Sequence, residues 1–354
     1  MNLAHFKPYT KQDILSLTTL RRFETKIGEM VQVLNDPNEI VESIKSLTSK
    51  YIIIGVPEDI GVQANYGSAG TSSAWISFIQ SFLNIQSNDF LSGEKIAVAG
   101  HFDFGDIQFL IDKNAYGTEE KVEAYRHAVN TIDEEVEGII KLIVSQNKIP
   151  IVIGGGHNNA YPLIKGAAKG LHQDQKISLP QINAINLDAH TDYRTTEGRH
   201  SGNGFRYAEE DGFLQKYCVV GVHENYMPQN VWVDIVNNPF IDLITYEDIF
   251  IHEKRSFRQA VSHAIQFTDD NYCGVEIDLD CVENILSSAC TPAGINSQQV
   301  RQYINLCAAH VKTAYVHIAE GATRLATGKS NDLTGKLISY IVTDFLKMHE
   351  ATAG

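Results

Sequence analysis

The succession of short apolar runs constrains the fold of this chain more than any other feature. Eight runs rich in β-branched residues read as buried strands. They are YIIIGV from Tyr51, KIAVAG from Lys95, KIPIVIGGG from Lys148, INAINLDAH from Ile182, YCVVGV from Tyr217, DLITY from Asp242, YCGVEIDLD from Tyr272 and AYVHIAE from Ala314. Segments with helical spacing separate several of them, at residues 118–146, 159–169, 297–310 and 331–348. Because parallel neighbours need long crossovers, this alternation predicts an α/β fold with helices on both faces of a mostly parallel sheet.

Residues 1–50 lack this strand rhythm and look mainly helical and polar. We therefore expect an N-terminal helical extension at residues 1–50 that packs on the outside of one large domain, residues 51–354. The length of 354 residues exceeds an average domain, but large α/β folds often reach it around a single core.

Charge and cysteine content narrow the possible partners. The 43 acidic and 29 basic residues give a formal charge of -14, which would repel nucleic acid and anionic membrane surfaces. No segment approaches the roughly 20 apolar residues that span a bilayer, and MNLAHFKPYTK lacks a signal core. The five cysteines include no Cys-x-x-Cys pair, which argues against a disulfide framework. We expect a cytoplasmic protein that acts on a small ligand and contacts neither nucleic acid nor membrane.

The strand from Ile182 ends in a group of potential metal ligands, Asp188, His190 and Asp192. Side chains two apart in an extended segment share a face, so these three converge if strand geometry persists. Such donors suit a divalent metal. A polar strand end with solvated acids is the alternative, because three-residue patterns arise often by chance.

Two further strand ends carry similar side chains. Asp278 and Asp280 follow the strand from Tyr272, although Asp-x-Asp alone also describes an ordinary acidic loop. His157 follows three glycines after the strand from Lys148, and a single histidine there is often structural. A phosphate-binding turn is the other interpretation, but G-x-G-x-x-G spacing and a following Lys-Ser or Lys-Thr are missing.

Together the three segments supply six donors to one edge of the predicted sheet, where ligands of such folds collect. Four of the six are carboxylates, which need about two divalent cations for electrical balance. The sequence therefore predicts a centre with two metal ions.

GGGHN, DAHTD and DLD, in this order, resemble the metal-binding motifs of the arginase (ureohydrolase) superfamily. The likeness runs from about residue 51 to residue 346 and includes GVPEDIGVQANYGSAG and IAEG. It implies a three-layer α-β-α arginase-like fold, a metallohydrolase domain, two Mn²⁺ per chain and a homo-oligomer. Iron, cobalt, nickel and zinc stay open as the metal.

The same resemblance implies which residues hold the ions. One ion would be held by His157, Asp188, Asp192 and Asp278, and the other by His190, Asp188, Asp278 and Asp280. It also implies that Asp192 relays a proton and that Glu320, in IAEG, pairs with a cationic amidine or guanidine.

Three departures from arginase resemble formimidoylglutamase instead. Gly156 replaces the Asp before the ligand His, Arg194 replaces an Asn, and Ser-Gly-Asn is followed by Gly-Phe-Arg rather than by a shuttle His. Formimidoylglutamate carries two carboxylates, which guanidinium groups bind in bidentate fashion. Arg194, Arg206 and Asn203 are therefore the expected substrate-binding residues, although either Arg could instead pair with a surface acid.

These features predict hydrolysis of N-formimidoyl-L-glutamate to glutamate and formamide, a step of histidine breakdown, by metal-activated water. The first alternative is a ureohydrolase for arginine, agmatine or another guanidino compound. The second is a metal-binding relative without catalysis, for which the unusual loop SSACTP from Ser287 leaves room.

Overall fold

A single sheet of nine strands forms the centre of the computed structural model, which describes residues 3–352. All eight predicted strands are present, and a ninth, β1, was not predicted. The strands are β1 (Phe6–Pro8), β2 (Tyr51–Gly55), β3 (Ile96–Phe102), β4 (Ile149–Ile153), β5 (Ile182–Leu187), β6 (Leu214–Val222), β7 (Ile241–Thr245), β8 (Cys273–Asp278) and β9 (Thr313–Ala319).

The strand order is β1-β3-β2-β4-β9-β8-β5-β6-β7, and β1 runs antiparallel to β3 while the other neighbours are parallel. Registers are level at the carboxyl ends: Ile153 of β4 pairs with Ile318 of β9, and Leu187 of β5 pairs with Ile277 of β8. The loops that follow β4, β9, β8 and β5 therefore meet at one place.

Helices supply the crossovers. Within residues 3–352 they are α1 (Lys11–Ser16), α2 (Ile27–Met30), α3 (Ile40–Ser46), α4 (Ile60–Gln63), α5 (Ala74–Leu83), α6 (Gly105–Asn114), α7 (Thr118–Ser145), α8 (Ala160–Gln173), α9 (Gly204–Glu210), α10 (Gln229–Val236), α11 (Tyr246–Phe250), α12 (Phe257–Thr268), α13 (Ser297–His310) and α14 (Thr334–Thr352). The predicted helix 297–310 agrees with α13 at both ends. Asn296 and Gln299 form a capping box that fixes its start. The segment predicted at 331–348 begins three residues later and ends four later.

Two buried clusters lie on opposite faces of the sheet and give the fold its three layers. Successive residues of β2 divide between them: Ile53 belongs to one cluster, Ile52 and Ile54 to the other. The first cluster includes Phe78 of α5 and the second includes Leu163 of α8. The predicted three-layer α/β fold with a mostly parallel sheet is confirmed.

The N-terminal segment is more closely integrated than its sequence indicates. The expectation of an extension without strands is wrong at Phe6–Pro8, where β1 covers the edge strand β3. Packing on the outside is also incomplete, because Ile14 and Ile27 are fully buried in the same cluster as Ile53. Strand β1 escapes detection because it is short and contains a proline, which only an edge strand tolerates. The division of the chain at residue 50 stays a prediction.

All five cysteines are free thiols, and Cys290 is the exposed one. No helix within the described residues 3–352 combines the length and apolar character that crossing a bilayer requires.

Truncating Ile53 to Ala should lower the free energy of unfolding by about 2–5 kcal/mol, because it leaves a cavity in the centre of a packed layer. The matched change Ile76→Ala, on α5 where the side chain is 46% exposed, should cost less than about 1 kcal/mol. Urea denaturation of both variants measures the difference. Equal losses would contradict the assignment of Ile53 to the core.

Candidate metal centre

The glycine-rich turn after β4 directs His157 into the protein. Gly155 has φ of 76°, and a Cβ there would lie 2.6 Å from the carbonyl oxygen of Val56, so only glycine fits. The buried carboxylate of Glu58 accepts hydrogen bonds from the Gly156 and Gly61 amides, both at 2.9 Å. The turn is thereby tied to the loop after β2, and His157 at its end is fully buried.

The three donors that follow β5 come together in a way that strand alternation does not explain. Strand β5 ends at Leu187, and the chain then bends so that the His190 amide donates to Asp188 Oδ1 at 2.7 Å. Asp192 has φ of 45°, a left-handed conformation that a side chain other than glycine adopts at a cost. The three donors therefore face one region because of a bend and a strained residue.

The donors after β8 are arranged by a tight turn. Asp278 is the last residue of the strand, and its Oδ1 accepts from the Asp280 amide at 2.7 Å at the start of the 3₁₀ turn Leu279–Cys281. Both carboxylates are buried.

His157 and three of the aspartates form the first group of potential ligands. His157 Nδ1 lies 3.2 Å from Asp188 Oδ2, 2.8 Å from Asp192 Oδ2 and 3.1 Å from Asp278 Oδ2. These are the four residues that the resemblance assigns to one ion.

The second group contains His190, Asp188 and Asp280. His190 Nδ1 lies 3.0 Å from Asp280 Oδ2 and 3.7 Å from Asp188 Oδ1. Asp188 belongs to both groups, which fits its predicted bridging position, whereas Asp278 belongs to the first group alone. The structure thus brings all six predicted donors together.

The electrostatics of the cluster show that its residues fit divalent cations. Burial, together with the charges of Asp280 and Asp188, raises the pKa of Asp278 to about 8. Burial and the Asp188 charge raise the pKa of Asp192 to about 6. Among residues 3–352, the buried His157 Nδ1 has no hydrogen-bond partner despite the three carboxylates around it, and the same holds for Asp280 Oδ1. Bound divalent cations would balance the repulsion among the carboxylates, and mixed carboxylate and imidazole donors suit Mn²⁺.

Glu320 stands next to this cluster. It follows β9 with φ of 60°, and its Oε1 accepts from the His157 amide at 3.0 Å while its own amide donates to Gly155. Burial and the charges of Asp278 and Asp280 raise its pKa well above the ordinary value. A bound cationic group would relieve this repulsion.

A polar cleft of about 560 Å³ opens above the donors. Its lining includes His190, Asp192, Asp278, Asp280 and Glu320 at the base, with Val62, Asn65, Gly67, Thr191, Arg194, Thr195, Ser201, Gly202, Tyr226, Pro228, Asn230, Val231, Ser288 and Ala289 as its walls. Small polar ligands can therefore reach the cluster directly from solvent.

Arg194 is the predicted substrate-binding residue that the structure places at this cleft. Its side chain is 44% exposed, with Nη1 donating to Asn65 Oδ1 at 2.8 Å and Nη2 donating to Glu197 Oε1 at 3.0 Å. A guanidinium has five N–H donors, so others stay available to a ligand carboxylate.

The other two predicted substrate contacts, Asn203 and Arg206, are absent from the cleft lining. The buried Asn203 side chain accepts from Arg199 Nη1 and donates to the carbonyl oxygens of Thr195 and Gly198. Arg206 forms ion pairs with Glu210 and Asp234. Asn203 thus stabilises the loop 195–198 that follows Arg194. Arg206 binds surface acids, which is the alternative that the sequence left open.

Several residues of the site escaped sequence reasoning. Asn65, Tyr226 and Ser288 lie between the longer elements and Asn230 lies in the first turn of α10, and tertiary structure decides where these segments meet the cleft. Glu276 could have been noticed, because a buried acid two residues before Asp278 points to the same face of an otherwise apolar strand.

Comparison with known proteins adds evidence independent of this geometry. The arginase family model matches residues 49–345. Formimidoylglutamase of Psychrobacter cryohalolentis is 26% identical over 310 residues, which cover 83% of this chain and 86% of that protein. Formimidoylglutamase of Macrococcus caseolyticus is also 26% identical, over 323 residues that cover 89% of this chain and 90% of that protein.

Solved structures share the fold. Formimidoylglutamase from Bacillus subtilis superposes with a TM-score of 0.70 at 16% identity, covering 95% of each chain. Formiminoglutamase from Trypanosoma cruzi with Mn²⁺ superposes with a TM-score of 0.68 at 18% identity, covering 93% of this chain and 99% of that one. Because the family match spans well over half of the chain and includes every donor of the cluster, this chain belongs to the arginase family.

Proposed function

We propose that this chain hydrolyses N-formimidoyl-L-glutamate to glutamate and formamide with the help of two divalent cations. One observation carries the proposal: Glu320 and four of the six donors, His190, Asp192, Asp278 and Asp280, line the same cleft as the partly exposed Arg194. The cleft thus offers an acid to a cationic amidine at one end and a guanidinium to a carboxylate at the other.

The proposed cation sites are the two groups that share Asp188. When bound, two cations would supply Lewis-acid activation of water at neutral pH. Mn²⁺ is the proposed metal, since carboxylate and imidazole donors suit it and the Trypanosoma cruzi formiminoglutamase was solved with it.

The side chains then have separate tasks. Glu320 orients the amidinium carbon over the cluster. Arg194 holds a substrate carboxylate, so that the substrate cannot bind in the opposite orientation. Water adds its oxygen to the amidine carbon, and the bond from that carbon to the glutamate nitrogen breaks. Asp192 lines the cleft and is proposed to carry the proton that the leaving amine gains.

Organisation beyond the site is also proposed. Residues 51–354 would form the metallohydrolase domain, which the family match at 49–345 supports, and residues 1–50 its extension. The resemblance supports a homo-oligomer, and the free thiols support a reducing cytoplasm.

Product analysis tests the substrate. Manganese-loaded protein should release formamide and glutamate from formimidoylglutamate, and little urea from arginine or agmatine. The reason is that the positive charge of Arg194 in the cleft favours a substrate with a net negative charge. Formamide, ammonia and urea are measured separately. Urea from arginine as the main product would make the ureohydrolase alternative correct, and no product from any of the three would favour the inactive relative.

Metal removal tests the centre. Treatment with a chelator should abolish activity and added Mn²⁺ should restore it, and Asp192→Ala should lower kcat by at least about 100-fold, because it removes both a ligand and the proton carrier. Asp234→Ala, a surface acid paired with Arg206, is the control and should keep normal kcat. Full activity in chelator would refute a metal-dependent reaction.

Exchange of Arg194 tests substrate binding. Arg194→Ala should raise KM for formimidoylglutamate about 10- to 100-fold, since a charge-assisted bidentate contact contributes about 1.5–3 kcal/mol. Arg206→Ala should leave KM unchanged, because its partners are surface acids. Steady-state kinetics of both variants measure the two KM values. A larger increase in KM for Arg206→Ala than for Arg194→Ala would identify Arg206 as the substrate contact instead.

A further inference from the structure

Another buried carboxylate, that of Glu276 on β8, faces the His157 ring on the side opposite to the three aspartates. Its side chain is fully buried. Oε2 lies 3.3 Å from His157 Nε2 and 2.6 Å from His317 Nδ1, and Oε1 accepts from the Tyr315 hydroxyl at 2.6 Å. Three donors from β9 and from the turn after β4 therefore surround one acid.

The two nitrogens of the His157 ring face opposite partners. Nδ1 faces Asp188, Asp192 and Asp278, while Nε2 faces Glu276. A neutral imidazole carries one proton, and the nitrogen without it is the one that binds a metal. If the proton lies on Nε2 and is donated to Glu276, the lone pair of Nδ1 points at the proposed cation site.

We propose that Glu276 is a positioning residue that keeps the His157 proton on Nε2 and so makes Nδ1 a ligand of the first cation. This inference rests on the proposed metal centre. Carboxylates that accept from the remote nitrogen of a ligand histidine fix ring orientation and increase its basicity.

The surroundings of Glu276 fit this task. His317 Nε2 is buried and has no hydrogen-bond partner in the described part of the chain, so the proton of a neutral His317 is the one on Nδ1 that Glu276 accepts. The main chain of Glu276 is held as well, because the Tyr303 hydroxyl lies 3.0 Å from the carbonyl oxygens of both Glu276 and Ile185, which share its one proton. The carboxylate has little freedom to turn away from His157.

A third cation held by His157, Glu276 and His317 is the competing interpretation of the same cluster. It requires the Nε2 lone pair of His157, whereas the first site requires the lone pair of Nδ1, and a neutral ring has only one of the two. The spacing of 2.6 Å between His317 Nδ1 and Glu276 Oε2 is a hydrogen-bond distance.

Calorimetric titration of metal-free protein with Mn²⁺ tests the inference without an activity assay. Wild type should bind two ions per chain. Glu276→Gln keeps the shape but can turn its NH₂ group towards His157, so the Kd of one ion should rise about 10- to 100-fold while the other Kd stays unchanged. The melting temperature of each metal-free variant separates this effect from loss of the fold.

Two tyrosines provide a matched pair. Tyr315→Phe removes a donor to the Glu276 carboxylate and should raise the Kd of the same ion, by a smaller factor than Glu276→Gln does. Tyr303→Phe removes an equally buried hydroxyl that serves only main-chain oxygens, and should change the melting temperature without changing either Kd. This pair decides the matter if Glu276→Gln does not fold.

The outcomes separate the two proposals. Two ions in wild type with both Kd values unchanged in Glu276→Gln and Tyr315→Phe would overturn the role of Glu276 and leave the metal centre intact. Three ions per chain in wild type would also overturn it, in favour of the competing cation site. Failure of wild type to bind Mn²⁺ would overturn the proposed metal centre together with this inference.

Discussion

Four aspartates at one edge of the sheet, three of them buried and Asp192 partly buried, are the constraint on which the rest of the structure depends. Carboxylates this close repel one another, and burial together with this repulsion raises the pKa of Asp278. The fold tolerates them because two histidines lie among them and because the arrangement can take up positive charge. Other polar features follow from this, including the amide donors aimed at Asp188 and Asp278 and the acid behind His157.

Much of this arrangement could be predicted because its signals are local. Buried parallel strands read as continuous apolar runs, and the polar residues that end them stand out against those runs. Such reasoning located all eight long strands and the six donors. It correctly predicted that the three donors after β5 come together, but the reason it used, strand alternation, is incomplete. The strand stops at Leu187, and Asp192 reaches the cluster because its own backbone is left-handed.

The remaining features depend on contacts between distant segments. Asn203 and Arg206 share the same short stretch as Ser201, yet only Ser201 faces the cleft, because Arg199 and Asp234 bind the other two. Sequence spacing within a loop does not contain that information. Strand β1 and the walls around Tyr226 and Ser288 are likewise decided by tertiary packing.

The strand order has a consequence for biosynthesis. Strand β9, the last of the sheet to be made, lies between β4, which precedes His157, and β8, which ends at Asp278. A nascent chain on the ribosome that still lacks β9 has no sheet neighbour to join these two strands, although all six donors have already been synthesised. In the proposed metal centre, loading would therefore be a late event that needs β9, and fragments that end before residue 313 would not retain the ions.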